Sequence, residues 1–387
     1  MTHNFDHIPN RRDPKVVNKW TYYKKDILPM WVADMDFICP EPILEALHER
    51  VAHGVFGYGI ASSQLAAVIC ERMVRCYNWS VAPDQILFLP GLVCGLNLVC
   101  RAVGQAGDEV LVQTPVYPPF LSAPLHQERR LSCAELAFSR QGNHLCYTID
   151  YAALDAAITE RTSLFLFCNP HNPVGRVCDN GELIRLAEIC ESHDITICSD
   201  EIHCDLLLDN MNHRPIASLS PEIAKRCITL MAPSKTFNIP GLGMSFAIVQ
   251  NRHLLKQLKR AAEGIVPHVN VLGFTAALAA YSDCDDWLKE LRGYLRINRD
   301  YLLDYAAQYL PGILTTSPQA TYLAWLDCRQ TGVTGNLQRF FIDKAKVALS
   351  DGATFGSGGE GFVRLNFGCP RSILAQGLER MRMALSG

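Results

Sequence analysis

The sequence predicts an α/β protein in which a largely parallel sheet is covered by helices on both faces, with a smaller α+β region after it. Between about residues 64 and 282, short and continuously apolar runs alternate with helical patterns. Runs of this kind are typical of strands that are buried on both faces, as in parallel sheets. From about residue 284 the pattern changes to a long charged helix, two strands and a final helix, which indicates a second unit.

The predicted elements follow in order along the chain. A helix is expected near Pro42, because Leu44, Leu47 and Val51 recur at spacings of three and four. The glycine-punctuated loop GVFGYG comes next. The strands of the large sheet are predicted at 85–90, 109–115, 163–170, 195–201, 227–233 and 245–250, with intervening helices that include 92–103 and 180–193.

The C-terminal region is predicted to open with a helix from Asp285 and to continue with strands at 321–327 and 362–368 and a terminal helix. We therefore predict three parts of the chain: an N-terminal arm (1–45) that contributes to the small domain, a large domain (46–283) and a small α+β domain (284–387).

Composition and charge exclude several classes of function. The 387 residues are 49% hydrophobic and 19% charged, with a net charge of −3, so neither nucleic acid nor an anionic membrane is an expected partner. The 16 cysteines are never closer than six positions, which argues against CxxC zinc sites and suits a reducing cytoplasm. The N-terminus has no apolar signal segment, and the uncharged run Gly264–Ser282 is interpreted as a core helix. We expect a cytoplasmic protein without a metal.

Polar residues follow the ends of three successive predicted strands. They are the turn NPHNPVG (169–175), Asp200 and Lys235. Each has an ordinary explanation: a plain turn, a helix N-cap and a solvated lysine. However, the carboxyl ends of parallel strands meet at one edge of a sheet, where function gathers. A lysine for an aldehyde, a carboxylate for a pyridinium nitrogen and a donor for a phenolate oxygen are what pyridoxal 5'-phosphate requires.

Lys235 stands out because no carboxylate lies within five positions of it and its neighbours are mostly apolar, proline or glycine. Loss of hydration in such a setting lowers the pKa of an amine. A partly neutral amine can attack an aldehyde, which is how pyridoxal phosphate becomes linked to a lysine. The segment therefore predicts a reactive lysine.

Seven motifs in chain order resemble those of the fold-type I pyridoxal phosphate enzymes, the aspartate aminotransferase superfamily. Within that superfamily they are most similar to the MalY/PatB-type group of cystathionine β-lyase-like carbon–sulfur lyases. The resemblance extends from about residue 18 to the end. It implies a large domain with a mostly parallel seven-stranded sheet and a small α+β domain. The motifs are LPMWVADMDF, GVFGYG, NPHNPVG, SDEIHCDL, SKTFNIPGL, TYLAWLD and GFVRLNFGCPR.

The resemblance implies roles for the residues around the cofactor ring. Lys235 would bond the cofactor aldehyde and later remove the Cα proton of the substrate. Asp200 would pair with the pyridinium nitrogen, and Asn172 would donate to the phenolate oxygen and lie close to the substrate. Tyr117 would stack on the ring and take part in catalysis. His203 stands where many aminotransferases have a tyrosine near the phenolate oxygen, and its role is left open.

The resemblance also implies how the cofactor phosphate is held. Gly91, Leu92 and Val93 stand at a predicted helix start, where free N–H groups and the helix dipole favour an anion. Ser234 would add a hydroxyl group. Tyr58 would come from the partner subunit, which implies a homodimer.

Arg364 is the residue that the resemblance assigns to the α-carboxylate of an amino-acid substrate, as a bidentate fork. Ala33 is expected to contact the same carboxylate through its main chain. The chain departs from many aminotransferases at two positions, because Gly243 replaces an arginine and Ala232 replaces a serine. The missing arginine is compatible with the lyase group, and both losses predict weaker phosphate anchoring. The segment RRDPKVVNKW only partly matches the group, so a different site entrance is expected.

These residues lead to β-elimination as the main hypothesis. Cystathionine, cystine or a related cysteine S-conjugate would yield a thiol, pyruvate and ammonia, with Tyr117, Tyr58 or Lys235 protonating the leaving sulfur. An aminotransferase, which shares every cofactor residue, is the alternative. No second arginine for a dicarboxylate substrate is evident. A further alternative is an additional regulatory role through protein binding, for which the sequence offers no surface.

Overall fold

The protein is described here by a computed structural model, which covers residues 3–13 and 15–386. The fold class predicted from the sequence is confirmed: the chain is a mixed α/β protein with a large, mostly parallel sheet. The helices are α1 Glu41–His53, α2 Ser63–Tyr77, α3 Leu92–Ala102, α4 Pro118–His126, α5 Tyr151–Ala156, α6 Asn180–Ser192, α7 Pro221–Ala224, α8 Pro233–Thr236, α9 Arg252–Ala262, α10 Val271–Asp283, α11 Asp285–Tyr309, α12 Leu337–Phe340 and α13 Arg371–Ser386.

The strands lie at or within a few residues of the predicted positions wherever the sequence has a continuous apolar run. They are β1 Leu28–Pro29, β2 Ile86–Leu89, β3 Glu109–Thr114, β4 Arg130–Glu135, β5 Ala137–Gln141, β6 His144–Thr148, β7 Thr162–Cys168, β8 Thr196–Asp200, β9 Cys227–Met231, β10 Ser245–Ile248, β11 Leu314–Thr316, β12 Leu323–Asp327, β13 Val347–Ala348, β14 Ser350–Asp351 and β15 Phe362–Asn366.

Seven strands from the described residues form the large sheet in the order β2-β10-β9-β8-β7-β3-β4. Its pairs are parallel except those of β10, which runs antiparallel to both of its neighbours. Along β7, Leu164 and Leu166 pack into one apolar cluster, whereas Phe165 and Phe167 pack into another. Alternate side chains of one strand thus enter two separate cores, which is why the run is continuously apolar.

A second sheet of six strands, again within the described residues, has the order β14-β15-β12-β11-β6-β5. The hairpin β5–β6 comes from the middle of the chain, yet β6 pairs in parallel with β11 near the C-terminus. Seven of the described strands are absent from the sequence prediction: β1, β4, β5, β6, β11, β13 and β14. All of β5 is exposed and β4 is largely exposed, so neither has a continuous apolar run to reveal it.

The N-terminal arm pairs with the C-terminal part of the chain, because Leu28 and Pro29 of β1 align in parallel with Val347 and Ala348 of β13. This pairing is consistent with an arm that contributes to a small domain. The domain boundaries 1–45, 46–283 and 284–387 stay a prediction. In the part of the chain that the structure describes, no helix has the length and apolar character needed to cross a membrane.

Candidate active site

A cavity of about 190 Å³ opens at the carboxyl ends of β7, β8 and β9. Ten of the twelve predicted site residues line it: Ala33, Gly91, Leu92, Val93, Tyr117, Asn172, Asp200, His203, Ser234 and Lys235. Cys168, Ile202, Pro240, Gly243 and Met244 complete the lining. The strand-end residues are therefore brought together, as the parallel topology predicts.

Lys235 projects from α8, a single turn of helix that begins with Pro233 directly after β9. Its Nζ donates a hydrogen bond of 2.5 Å to the main-chain oxygen of Ala33. Burial, together with the nearby Arg364 guanidinium, lowers the pKa of Lys235 to about 8, and the carboxylates of Asp34 and Asp200 only partly oppose this. A sizeable fraction of the amine is thus neutral near pH 8, as a nucleophile for an aldehyde needs.

Asp200 ends β8 and is almost completely buried, at 3% exposure. One carboxylate oxygen accepts a hydrogen bond of 3.1 Å from the N–H of Ile202. Burial raises the pKa of Asp200 to about 7, and the neighbouring Glu201 adds to the effect. A carboxylate in this position favours a cationic partner, and a pyridinium N–H would supply one.

Asp200→Asn is expected to stabilise the cofactor-free protein in a pH-dependent way. Because the folded-state pKa of Asp200 is about 7 and the ordinary value is 3.8, folding retains a proton between these pH values, so stability falls as pH rises through that window. Near pH 8 the variant should be more stable by roughly 2–4 kcal/mol, since raising a pKa by one pH unit corresponds to about 1.4 kcal/mol. Thermal unfolding at several pH values measures this. A stability difference that persists unchanged near pH 4 would contradict the assignment.

Arg364 on β15 is buried at 4% exposure and has no carboxylate partner among the described residues. Its Nη1 donates to Asn172 Oδ1 at 3.0 Å, and its Nη2 donates to the main-chain oxygen of Trp31 at 2.9 Å and to Ser350 Oγ at 3.2 Å. Burial lowers the pKa of Arg364 to about 10. An unpaired buried guanidinium favours an anionic ligand. Since Asn172 Oδ1 is occupied, the Asn172 amide is left to donate.

Arg364 does not line the cavity, but it donates a hydrogen bond to Asn172, which does. Tyr117 immediately precedes α4, and its main-chain N–H donates to the main-chain oxygen of Asn172 at 3.1 Å. His203 lines the cavity, and burial lowers its pKa to about 3, so its imidazole is neutral. His203 Nδ1 is buried without a hydrogen-bond partner in the described structure.

The segment Trp31–Asp36 is held by residues that the sequence analysis did not single out. Tyr322 donates from its hydroxyl to the Ala33 oxygen at 2.9 Å. Asn366 donates to the oxygens of Val32 and Asp34, both at 2.7 Å, and Asn238 bonds the main chain of Met35. Tyr322, Asn366 and Asn238 all lie inside the quoted motifs, within three positions of a predicted residue or at a strand end. Their closeness in sequence to the predicted site residues and strand ends is the only feature of the sequence that could have identified these three residues.

The end of the cavity at the start of α3, where the cofactor phosphate is expected, is built from main chain rather than from arginine. Gly91 has a φ of 133° and precedes α3, whose first-turn N–H groups have no intrahelical acceptor. Ser234 lines the same cavity, as does Gly243 at the position where many aminotransferases have an arginine. Tyr58 does not line this cavity; it is fully exposed in the loop between α1 and α2.

These residues fit pyridoxal 5'-phosphate together with an amino acid. Lys235 offers the amine, Asp200 the carboxylate for a ring nitrogen and Asn172 the donor for a phenolate oxygen. The start of α3 and Ser234 would form a cradle for a phosphate, and Arg364, which has no carboxylate partner among the described residues, would suit a second anion, a carboxylate. A carboxylate would neutralise the Arg364 guanidinium, whose Nε is buried without a hydrogen-bond partner, and a pyridinium N–H would compensate the buried carboxylate of Asp200.

Comparisons with known proteins agree with this geometry. The model of the family "aminotransferase class I and II" matches residues 27–381. The chain is 40% identical to cystathionine β-lyase PatB of Bacillus subtilis, over 99% of this chain and 100% of that protein. It is 33% identical to the protein MalY of Escherichia coli, covering 91% and 90% of the two chains. The crystal structure of a C-S lyase with bound pyridoxal phosphate from Staphylococcus hominis superposes with a TM-score of 0.92 at 33% identity, covering 100% and 99%.

Proposed function

The chain belongs to the aminotransferase class I and II family, and from this premise we propose that it is a pyridoxal phosphate-dependent carbon–sulfur β-lyase. Its substrates would be cystathionine, cystine or related cysteine S-conjugates, which it would convert to a thiol, pyruvate and ammonia. Relatives named as lyases match over nearly the whole chain and support this reaction.

The observation that carries the lyase hypothesis is the distribution of cations around the cavity. Among the described residues, Lys235 is the one cationic side chain in the lining, since the His203 imidazole is neutral. Two basic residues of the N-terminal arm, Arg11 and Lys19, are already paired with Asp34 and Asp36. With Arg364 committed to the α-carboxylate, the side-chain carboxylate of an aspartate-type aminotransferase substrate would find no cationic partner. The distal carboxylate of cystathionine or cystine is instead accompanied by its own ammonium group, so it does not need a cation from the protein.

When bound, pyridoxal phosphate supplies an aldehyde and an electron-withdrawing ring. The residues of this chain would do the rest. Lys235 would hold the aldehyde, and its amine, once released by the substrate, would take the Cα proton because its pKa is low. Asp200 would keep the ring nitrogen protonated, and Asn172 would donate to the phenolate oxygen. Arg364 would orient the α-carboxylate.

Three residues are candidates for the acid that protonates the leaving sulfur. Burial raises the pKa of Tyr117, so its phenol stays protonated and can donate. Lys235 carries the Cα proton after it has acted as a base. Tyr58 would be available only from a partner subunit.

A substrate panel tests the reaction directly. Purified holoenzyme is incubated with cystathionine, cystine and a further S-conjugate of cysteine, and pyruvate and free thiol are measured. We expect pyruvate and thiol in equal amounts from the thioether substrates, and pyruvate with an equal amount of thiocysteine, a persulfide, from cystine, without any added keto acid. Keto acid formation that requires 2-oxoglutarate, with no pyruvate, would identify an aminotransferase instead.

We further propose that the protein is a homodimer in which Tyr58 completes the partner's site. The loop between α1 and α2 exposes an apolar run, with Val55 at 61%, Phe56 at 56%, Tyr58 at 103% and Ile60 at 86% exposure. Contiguous apolar exposure of this kind is unusual on a monomer and typical of an interface. The occupant argued for is a second copy, because the resemblance assigns Tyr58 to the cofactor site although Tyr58 does not line the cavity of its own chain.

A mixed dimer tests the sharing of sites. Co-expressed Lys235→Ala and Tyr58→Ala chains should each be nearly inactive as homodimers, but their hybrid contains one intact site. We expect the purified hybrid to recover about half of the wild-type activity per dimer, because a two-fold dimer has two equivalent sites. A hybrid that forms and stays inactive would show that Tyr58 acts within its own chain, whereas a fully active Tyr58→Ala homodimer would show that Tyr58 has no role in the reaction.

Two further predictions stay open. The cytoplasmic location remains a prediction, and so does the additional regulatory role through protein binding, which no observation in the described residues favours.

A further inference from the structure

We infer that Thr236, bonded to the buried carboxylate of Asp205, is the positioning residue that sets the direction of Lys235. Thr236 is the residue directly after Lys235 and is fully buried. Its Oγ1 donates to Asp205 Oδ2 at 3.0 Å. The inference rests on the proposed role of Lys235 and adds to it a device that holds the lysine in place.

Asp205 is a fixed anchor because its carboxylate is fully engaged. The other carboxylate oxygen accepts from Arg72 Nη2 at 2.8 Å and from the Tyr77 hydroxyl at 2.5 Å. Burial alone would raise the pKa of Asp205, but the Arg72 guanidinium and the hydrogen bonds from Tyr77, Arg72 and Thr236 hold it below its ordinary value. The group is thus ionised, and hydrogen bonds to an ionised acceptor are stronger and shorter than neutral ones.

This network joins three parts of the structure. Arg72 and Tyr77 belong to α2, Asp205 lies five residues after Asp200, and Thr236 belongs to α8. Asp200 and Lys235 would act at opposite ends of one cofactor. The network therefore connects the segment that carries the carboxylate to the turn that carries the amine.

The turn that bears Lys235 needs such support. Helix α8 has four residues, too few to be stable by its own hydrogen bonds. The N-cap residue, Ala232, makes no side-chain capping bond. The Thr236 hydroxyl bond is thus a side-chain contact that fixes the orientation of the turn from within the core. Small errors in the placement of a reacting group lower the rate without weakening binding.

The chain offers a matched control on the strand that leads into this turn. Thr229 of β9 is also fully buried, but its Oγ1 has no hydrogen-bond partner in the described structure. Thr→Val is nearly isosteric, so at both positions it removes a hydroxyl and keeps the volume. Only at Thr236 does it remove a bond to an ionised carboxylate.

The experiment compares the holoenzymes of Thr236→Val, Thr236→Ser and Thr229→Val with wild type. It measures kcat, KM, the pH titration of the visible band of the bound cofactor, and the rate of cofactor loss. We expect Thr236→Val to lower kcat about tenfold with little change in KM. It should also shift the midpoint of the band titration and speed cofactor loss. Thr236→Ser, which keeps the hydroxyl, should behave nearly as wild type, and so should Thr229→Val.

The inference is overturned if Thr236→Val matches Thr229→Val in kcat and in the band titration. It is equally overturned if Thr236→Ser fails to restore both. Should Thr236→Val not fold, Thr236→Ala removes the same hydroxyl without adding a methyl group and is judged by the same criteria. The band titration and the rate of cofactor loss do not depend on which reaction is catalysed. They therefore test the positioning role even if the pyruvate assay rejects the lyase proposal.

Discussion

Replacement of Lys235 by alanine is expected to remove the covalent link to pyridoxal phosphate and to lower β-elimination by about 10³-fold or more, since nucleophile and general base are lost together. The reason lies in the site: Lys235 is the one cationic side chain in the described lining of the cavity, and its pKa of about 8 makes its amine reactive. The measurements are the near-ultraviolet absorbance that stays with the chain after borohydride reduction and denaturation, and the rate of pyruvate release.

The control for this variant is Lys256→Ala, an exposed lysine on α9 that contributes nothing to the cavity. It should leave both the absorbance and the rate unchanged. If Lys235→Ala kept a cofactor that borohydride fixes to the chain, another lysine would be the attachment point. The proposed arrangement of the site would then be wrong.

Arg364→Lys is expected to lower kcat/KM by about 100-fold, mainly through KM, although it conserves the charge. A lysine cannot form the two parallel hydrogen bonds that a guanidinium makes with a carboxylate, and such charge-assisted bonds are worth about 1.5–3 kcal/mol each. Arg364 also donates to Asn172 and to the main chain of Trp31, so these contacts would be lost as well. Steady-state kinetics with the best substrate of the panel measures the effect.

A ligand pair separates substrate recognition from general damage to the site. An amino-acid inhibitor should bind Arg364→Lys far more weakly than wild type, whereas the matching amine without its carboxylate should bind both proteins alike. Equal weakening for both ligands would mean that Arg364 acts only by holding Asn172 in place. In that case the carboxylate must be bound elsewhere.

The sequence predicted the large sheet well because most of its strands are marked locally. β7 and β9 are mostly apolar, and Ile197 and Cys198 of β8 enter opposite cores, since both faces of the sheet are covered. Because the carboxyl ends of parallel strands meet at one edge of the sheet, the convergence of Asn172, Asp200 and Lys235 could be predicted without knowing any long-range contact. The hairpin β5–β6 has no continuous apolar run, because β5 is exposed and only alternate residues of β6 are buried. The pairing of β6 with β11 depends on a segment about 170 residues away.

The electrostatic details of the site could not be predicted in the same way. Three of these details depend on contacts between distant segments. Arg364 has no carboxylate partner among the described residues, Arg11 and Lys19 are already paired with carboxylates, and Ala33 accepts a hydrogen bond from Lys235. Asp205 is the clearest case. From the sequence it is one more acidic residue in SDEIHCDL, and only burial against Arg72, Tyr77 and Thr236 makes it an anchor.

The sequence by itself thus determined the fold class, most of the strands of the large sheet and the identity of the residues at the strand ends, because hydrophobic periodicity and strand polarity are local properties. Only the tertiary structure decided which charges are neutralised, which buried groups lack a partner and what holds the reactive lysine in place. The physical reason is that desolvation and hydrogen bonding depend on every group packed around an atom, and most of those groups lie far away in the chain.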